Sequence, residues 1–137
     1  MDRRARIAFA LVVLAQAVHS IEECVFRLFD VFAPARWVSG LVAGLFGANH
    51  ATGFAVANVA IVLFGVWCYW ARVRTDHPGA RAYAWFWAGV EGVNGLVHIT
   101  VAIARGGYFP GVATAPLLLA TSGYLAVALV RSRRATR

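Results

Sequence analysis

Residues 7–29 read IAFALVVLAQAVHSIEECVFRLF. The first half is apolar, and the second carries Gln16, His19, Glu22, Glu23 and Arg27. As a helix rising about 1.5 Å per residue, this run reaches ~34 Å, enough to cross a hydrocarbon core of about 30 Å. Spacings of three and four residues put the polar side chains on one side of that helix. A charged group at mid-bilayer costs roughly 2.5–3.5 kcal/mol even on lenient insertion scales. Five polar residues on one stripe therefore need partners or a task.

The rest of the chain fits the same solvent. Of its 137 residues, 61% are hydrophobic and 14% charged, and the mean hydropathy is +0.67. Soluble domains run at roughly 45–50% apolar and about 25% charged. So short a chain has too little interior to hide this much apolar surface from water. The sequence is read as all-α: one membrane-embedded domain over 1–137, a bundle of four helices spanning 7–29, 51–71, 82–104 and 112–130. No barrel-like alternation competes, so helices must satisfy the backbone in lipid. The apolar stretch Trp37–Ala71 is too long for one span of about 20 residues. It divides into an interfacial or re-entrant piece over 37–46 and a helix from Ala51, or forms one long tilted helix. Asp76-His77-Pro78-Gly79, Gly106-Gly107 and Pro110-Gly111 mark turns. Gly40, Gly44, Gly89, Gly92 and Gly95 offer surfaces for close helix contact. Trp37, Trp67, Tyr69, Trp70, Trp85, Trp87 and Tyr108 read as interface belts. Ala15-Gln16-Ala17 resembles a signal-peptidase site, but the apolar helix runs past it, so the segment is read as a span.

The net charge is +7, and every basic residue is arginine. Arg3, Arg4 and Arg6 precede the first span, Arg72, Arg74 and Arg81 fill the second gap, and Arg131, Arg133, Arg134 and Arg137 form the tail. Only Arg27, Arg36 and Arg105 fall on the other side. This alternation is the positive-inside pattern, and it places both termini in the cytoplasm of a bacterial inner membrane. It also accounts for the basic balance through anionic lipid headgroups and leaves no case for nucleic acid as a partner. Homo-oligomerisation stays open.

Depth links the polar residues. From Ile7, His19 lies ~18 Å and Glu23 ~24 Å along the first helix; from Ala82, Glu91 lies ~14 Å, Asn94 ~18 Å and His98 ~24 Å along the third. The second helix enters from the outer side with His50, and Asn58 sits ~12 Å below it. The two stripes meet in the outer half of the membrane, so Glu22, Glu23, His19, Glu91, Asn94 and His98 are the candidate catalytic residues. Paired carboxylates beside imidazoles suit metal-free acid–base chemistry. The same types can hold a divalent metal such as iron or zinc, with His19, Glu22 or Glu23, and His98 as ligands. The cofactor is thus either none or such an ion. Bland alternatives stand beside these: a Glu23–Arg27 helix ion pair, an interhelical hydrogen bond from Asn58, a solvated interfacial His50, and His77 as a loop residue. Cys24 and Cys68 read as apolar packing residues near opposite faces.

These residues also carry resemblances. His19-Ser20-Ile21-Glu22-Glu23 matches the motif that names the HXXEE family of small bacterial membrane proteins. Asn94-Gly95-Leu96-Val97-His98 resembles the family's second signature, and Tyr108-Phe109-Pro110-Gly111-Val112-Ala113-Thr114 its third, in the same order. The resemblance implies a compact multi-helix membrane domain and brings no reaction. Glu22-Glu23-Cys24-Val25-Phe26-Arg27 and Phe46-Gly47-Ala48-Asn49-His50 are also similar to two motifs of the Abi/CAAX-type intramembrane proteases, whose later His-x-x-x-Asn motif is missing here.

The functional expectation is an enzyme using the Glu/His set for acid–base chemistry on a lipophilic small molecule drawn from the membrane lipids. Proton-initiated isomerisation or cyclisation of an isoprenoid-like molecule is its most concrete form. A metal-dependent enzyme on the same residues, a proton or ion carrier, an accessory membrane subunit, and a glutamate-type protease using Glu22 and His50 are the alternatives.

Overall fold

In the computed structural model, residues 1–134 are described, and all regular structure among them is helical. The tail residue Arg137, part of the charge reading, lies outside them. Helix α1 spans Arg3–Val25, α2 Leu28–Val31, α3 Ala33–Phe46, α4 His50–Cys68, α5 Ala80–Arg105 and α6 Ala115–Arg134. Among the described residues, four helical stretches are long and apolar enough to cross a membrane: Arg3–Val25, His50–Val73, Ala80–Arg105 and Ala115–Ser132.

Helix α1 is the axis. Over its apolar window 56% of the residues are buried, against 28–33% for the other three. Its two faces are inverted relative to a soluble helix. Ile7, Leu11, Leu14, Val18, Ile21 and Val25 form an exposed apolar stripe at helical spacing, while Gln16, His19, Glu22 and Glu23 point inward. Asp2 caps the start, accepting from the Ala5 amide at 2.8 Å. Below the polar stripe lies an apolar core of Phe9, Val12, Val13, Leu125 and Trp87. Trp87 belongs to this core and not to an interface belt: it is 2% exposed, with its ring edge-on to Phe9.

The first span ends earlier than expected. Arg27 takes a left-handed conformation with φ 54°, breaking the helix after Val25, and pairs with Asp30 at 2.6 Å. The Glu23–Arg27 pair is therefore not formed, because Arg27 has left the helix on which that spacing applies.

Helix α3 corresponds to the interfacial or re-entrant piece. Its 14 residues reach only ~21 Å, short of a bilayer crossing, and Pro34 sits in its first turn, where proline is tolerated. It folds back on α4 at backbone contact: a Cβ on Gly53 would lie 2.2 Å from the Ser39 carbonyl oxygen. The Ser39 hydroxyl also meets His50 Nδ1 at 2.7 Å. Helix α4 continues into a wider π turn over Tyr69–Val73 before the turn to α5. Gly95 lets α5 lie against α6, since a Cβ there would be 2.9 Å from the Ala115 carbonyl oxygen. Gly44 and Gly89 face open space and support no such contact.

The N-terminal end of α1, the α4–α5 turn and the end of α6 gather at one end of the bundle. Arg6 reaches Asp76 at 3.7 Å, and Arg81 donates to the Ser132 hydroxyl at 3.1 Å. The opposite end holds α2, α3 and the α5–α6 loop.

Gly53→Ala should lower the midpoint of thermal unfolding in detergent by several degrees, as expected for an overpacking cost of about 1–3 kcal/mol. Gly44→Ala, in open space, should leave it level or raise it. Equal effects from the two would remove the close α3–α4 contact.

Candidate functional site

The site is built from α1, α5 and the loop between α5 and α6. Glu22 comes first, because its carboxylate holds that loop in place. Oε1 accepts from the Tyr108 hydroxyl at 2.7 Å and from the Gly111 and Ala113 amides at 3.1 Å each. Oε2 accepts from the Thr114 amide at 2.8 Å and the Thr114 hydroxyl at 2.6 Å. Three of these donors are loop amides just ahead of α6. A negative charge there also suits the helix dipole.

The loop in turn holds the two imidazoles. His98 Nδ1 lies 2.7 Å from the Pro110 carbonyl oxygen, and His19 Nδ1 lies 2.7 Å from Thr114 Oγ1. Gly111, at φ 95°, is pressed against both rings, and a Cβ there would stand 2.4 Å from His98 Nδ1 and 2.8 Å from His19 Cε1. Only glycine meets both the conformation and the space. The rings sit edge to face with centroids 4.6 Å apart.

Glu23 completes the cluster. Its Oε1 is 3.3 Å from His19 Nε2 and 3.0 Å from His98 Nε2. All three residues are buried, and their ligand-type atoms lie within 4.8 Å of one another. Among the described residues, His19 Nε2 has no hydrogen-bond partner.

Beside the cluster opens a groove of about 450 Å³, between α3, α4 and α5 with α1 behind it. It exists because α4 and α5 scarcely touch. Phe32, Phe54, Ile61 and Val93 supply apolar wall, while Gln16, Asn58, Glu91 and Asn94 add polar atoms, and Glu23 and His98 border it. Glu91 is 1% exposed, and its Oε2 is unpaired among the described residues, as is Gln16 Oε1. Asn58 donates to the Phe54 carbonyl of its own helix at 3.2 Å, in place of the expected interhelical bond.

Of the six residues singled out in the sequence, His19, Glu23 and His98 meet in one cluster. Glu91 and Asn94 lie on the adjoining groove, and Glu22 faces the loop. His50 is exposed and paired with Ser39, so it and Glu22 have separate partners. Sequence reasoning did not place Tyr108, Pro110, Gly111 and Thr114 in the site. The Tyr-x-Pro-Gly-x-x-Thr pattern was visible, but its contacts depend on the loop folding back over α1.

A family model described as a protein of unknown function with HXXEE motif matches residues 10–125. The chain belongs to this family. The residues of its naming motif, His19, Glu22 and Glu23, each hold one of the contacts just described. No curated protein and no solved structure matches the chain.

Glu22→Gln exchanges one acceptor oxygen for an amide donor that would face donors. It should speed hydrogen exchange of the Gly111, Ala113 and Thr114 amides at least tenfold, measured by mass spectrometry, with the α1 core unchanged. Protection equal to wild type would remove the anchor. Partial burial of Tyr108 and its bond to the Glu22 carboxylate push the phenol from near 10 up to about 12. Because the folded value is the higher, the stability linked to this group is complete below pH ~10 and fades as pH rises through about 12. In a spectrophotometric titration, Tyr108→Phe should delete a tyrosine ionisation near pH 12.

Proposed function

We propose that this protein is a membrane-embedded enzyme that admits a lipophilic small molecule from the bilayer into the α3–α4–α5 groove and acts on it by acid–base chemistry. The observation that carries this reading is Glu91, a buried carboxyl on the wall of a largely apolar groove, one of whose oxygens has no hydrogen-bond partner among the described residues. A carboxyl so placed can pass a proton to, or take one from, a molecule lying alongside it. Asn94, one turn further on, can orient a substrate oxygen.

The most specific form is double-bond isomerisation in an isoprenoid-like chain. Glu91 gives its proton to one alkene carbon and a C–H bond forms. An allylic C–H then breaks, its electron pair makes the new double bond, and the proton returns to the Glu91 carboxylate. No other reactant is consumed. Ring closure begins with the same protonation. The aromatic faces of Phe32 and Phe54 suit a transient carbocation, and the Glu23–imidazole cluster offers a polar end for the substrate's own polar group.

Two features favour an enzyme over the other classes. A network serving packing alone pairs its buried polar atoms, whereas Gln16 Oε1 and Glu91 Oε2, on residues that line the groove, have no hydrogen-bond partner among the described residues. A transmembrane proton path needs polar groups toward both faces, yet the core beneath Gln16 consists of Phe9, Val12, Val13 and Trp87. The arginine distribution supports cytoplasmic termini in a bacterial inner membrane: Arg3, Arg4, Arg6, Arg72, Arg74, Arg81 and Arg131 belong to the terminal end, and Arg27, Arg36 and Arg105 to the site end.

Protein purified in detergent should carry one non-phospholipid lipophilic species near one per chain, identified by extraction and mass spectrometry. Ala57→Trp, which fills the groove, should lose it while keeping the helical signal. Glu91→Gln should retain it and abolish its conversion when the extracted compound is incubated with enzyme. Wild-type extracts that hold only bulk phospholipid, in the same proportion as Ala57→Trp, would overturn the reading.

A further inference from the structure

The three atoms at the head of the groove pose a problem in proton placement. The Pro110 carbonyl oxygen can only accept, so His98 Nδ1, 2.7 Å away, must carry the hydrogen. The Thr114 hydroxyl has one proton, and it goes to Glu22 Oε2 at 2.6 Å, a carboxylate that can only accept. Thr114 Oγ1 therefore accepts from His19 Nδ1–H. With both Nδ1 positions protonated, each neutral imidazole presents a bare Nε2 lone pair. Both lie close to the same oxygen, Glu23 Oε1, at 3.3 and 3.0 Å. Lone pairs gathered around a carboxylate oxygen call for a positive centre between them.

Protons serve this arrangement poorly. One proton bridges a single imidazole to Glu23 and leaves the other Nε2 unpartnered, as His19 Nε2 is here. Two protons make two imidazolium rings 4.6 Å apart, buried beside one carboxylate, a costly charge to hold away from water. A single metal ion answers all three atoms at once. Ligands about 2.05 Å from a common ion stand ~2.9 Å apart at octahedral angles and ~3.4 Å apart at tetrahedral ones, and the two Glu23 separations, 3.0 and 3.3 Å, fall within that range. The bonds at Nδ1 are those that orient metal-binding histidines, where the second ring nitrogen donates to a carbonyl or other acceptor.

We infer that His19 Nε2, His98 Nε2 and Glu23 Oε1 bind one divalent first-row transition ion, with Glu22, Thr114 and Pro110 as the shell that sets the rings. Two histidines and one carboxylate leave further coordination positions open, and the groove borders the cluster on the side of Glu91. This deepens the proposed function and rests on it for the ion's task, but not for the ion's binding. The ion would serve as the Lewis acid that holds the substrate's polar group. Glu91 is not a ligand and keeps its role at the groove wall.

The test uses full-length, tag-free protein stripped with a chelator and then delipidated. Titrated with Zn²⁺, it should bind one ion per chain at micromolar or tighter affinity, and Co²⁺ in its place should give visible d–d absorption. His98→Ala and Glu23→Gln should each weaken binding at least 100-fold while circular dichroism and gel filtration stay native; the loop variant His77→Ala should bind as wild type. His19→Cys supplies a signal that mere unfolding does not produce, a sulfur-to-Co²⁺ charge-transfer band. Thr114→Val, which frees the His19 ring, should weaken Zn²⁺ binding about tenfold with the stoichiometry unchanged. Failure of the wild-type protein to bind Zn²⁺ or Co²⁺, or undiminished binding in folded His98→Ala and Glu23→Gln, would refute the assignment. Lipid retention by chelator-treated protein is measured separately, so loss of the metal site and loss of the groove reading give different results.

Discussion

One carboxylate organises the end of this bundle that holds the α5–α6 loop. Glu22 gathers five hydrogen bonds on two oxygens, from three backbone amides and two hydroxyls of a nine-residue connection. The constraint is mutual. A loop and a helix start held near the membrane cannot leave amides unsatisfied, and a buried carboxylate cannot stand without donors. Each solves the other's problem. The consequence reaches beyond the loop, because Pro110 and Thr114 are then fixed where they hold His98 and His19 by their Nδ1 atoms. Glu22 thus acts on the cluster from outside it, through the loop.

The three buried glutamates of the bundle show how environment divides one residue type into different tasks. Glu22 is saturated by donors, Glu23 faces two imidazoles, and Glu91, on the groove wall, keeps one oxygen without a hydrogen-bond partner among the described residues. Position along the helix separates the first two. One residue is a rotation of about 100°, so Glu22 turns to the α5–α6 loop and Glu23 to the space between His19 and His98. The adjacent acids in the naming motif of the HXXEE family are therefore not interchangeable here.

The groove depends on what does not pack. Helix α3 is too short to span and folds onto α4 through Gly53 and Ala43, while α5 is drawn onto α6 through Gly95. The two hairpins hold α4 and α5 apart, and the gap opens beside the Glu/His cluster. Close backbone contacts elsewhere create the space at the site.

Composition and periodicity determined the membrane, the helices and the polar stripes, because lipid admits few backbone solutions and because three- and four-residue spacings map directly onto a helical face. Gln16 to Glu23 and Glu91 to His98 were legible for that reason, down to their overlap in depth. What the chain alone left open was which partner each side chain meets. The helix break at Arg27 undid the Glu23–Arg27 pairing, Trp87 turned into the core, Asn58 bonded within its own helix, and the roles of Tyr108, Pro110, Gly111 and Thr114 appeared only once the loop lay across α1. Those contacts join residues up to 95 positions apart. Local spacing carries no information about them; the way the helices pack, and the need of the loop amides and the Glu22 carboxylate for partners, decided them.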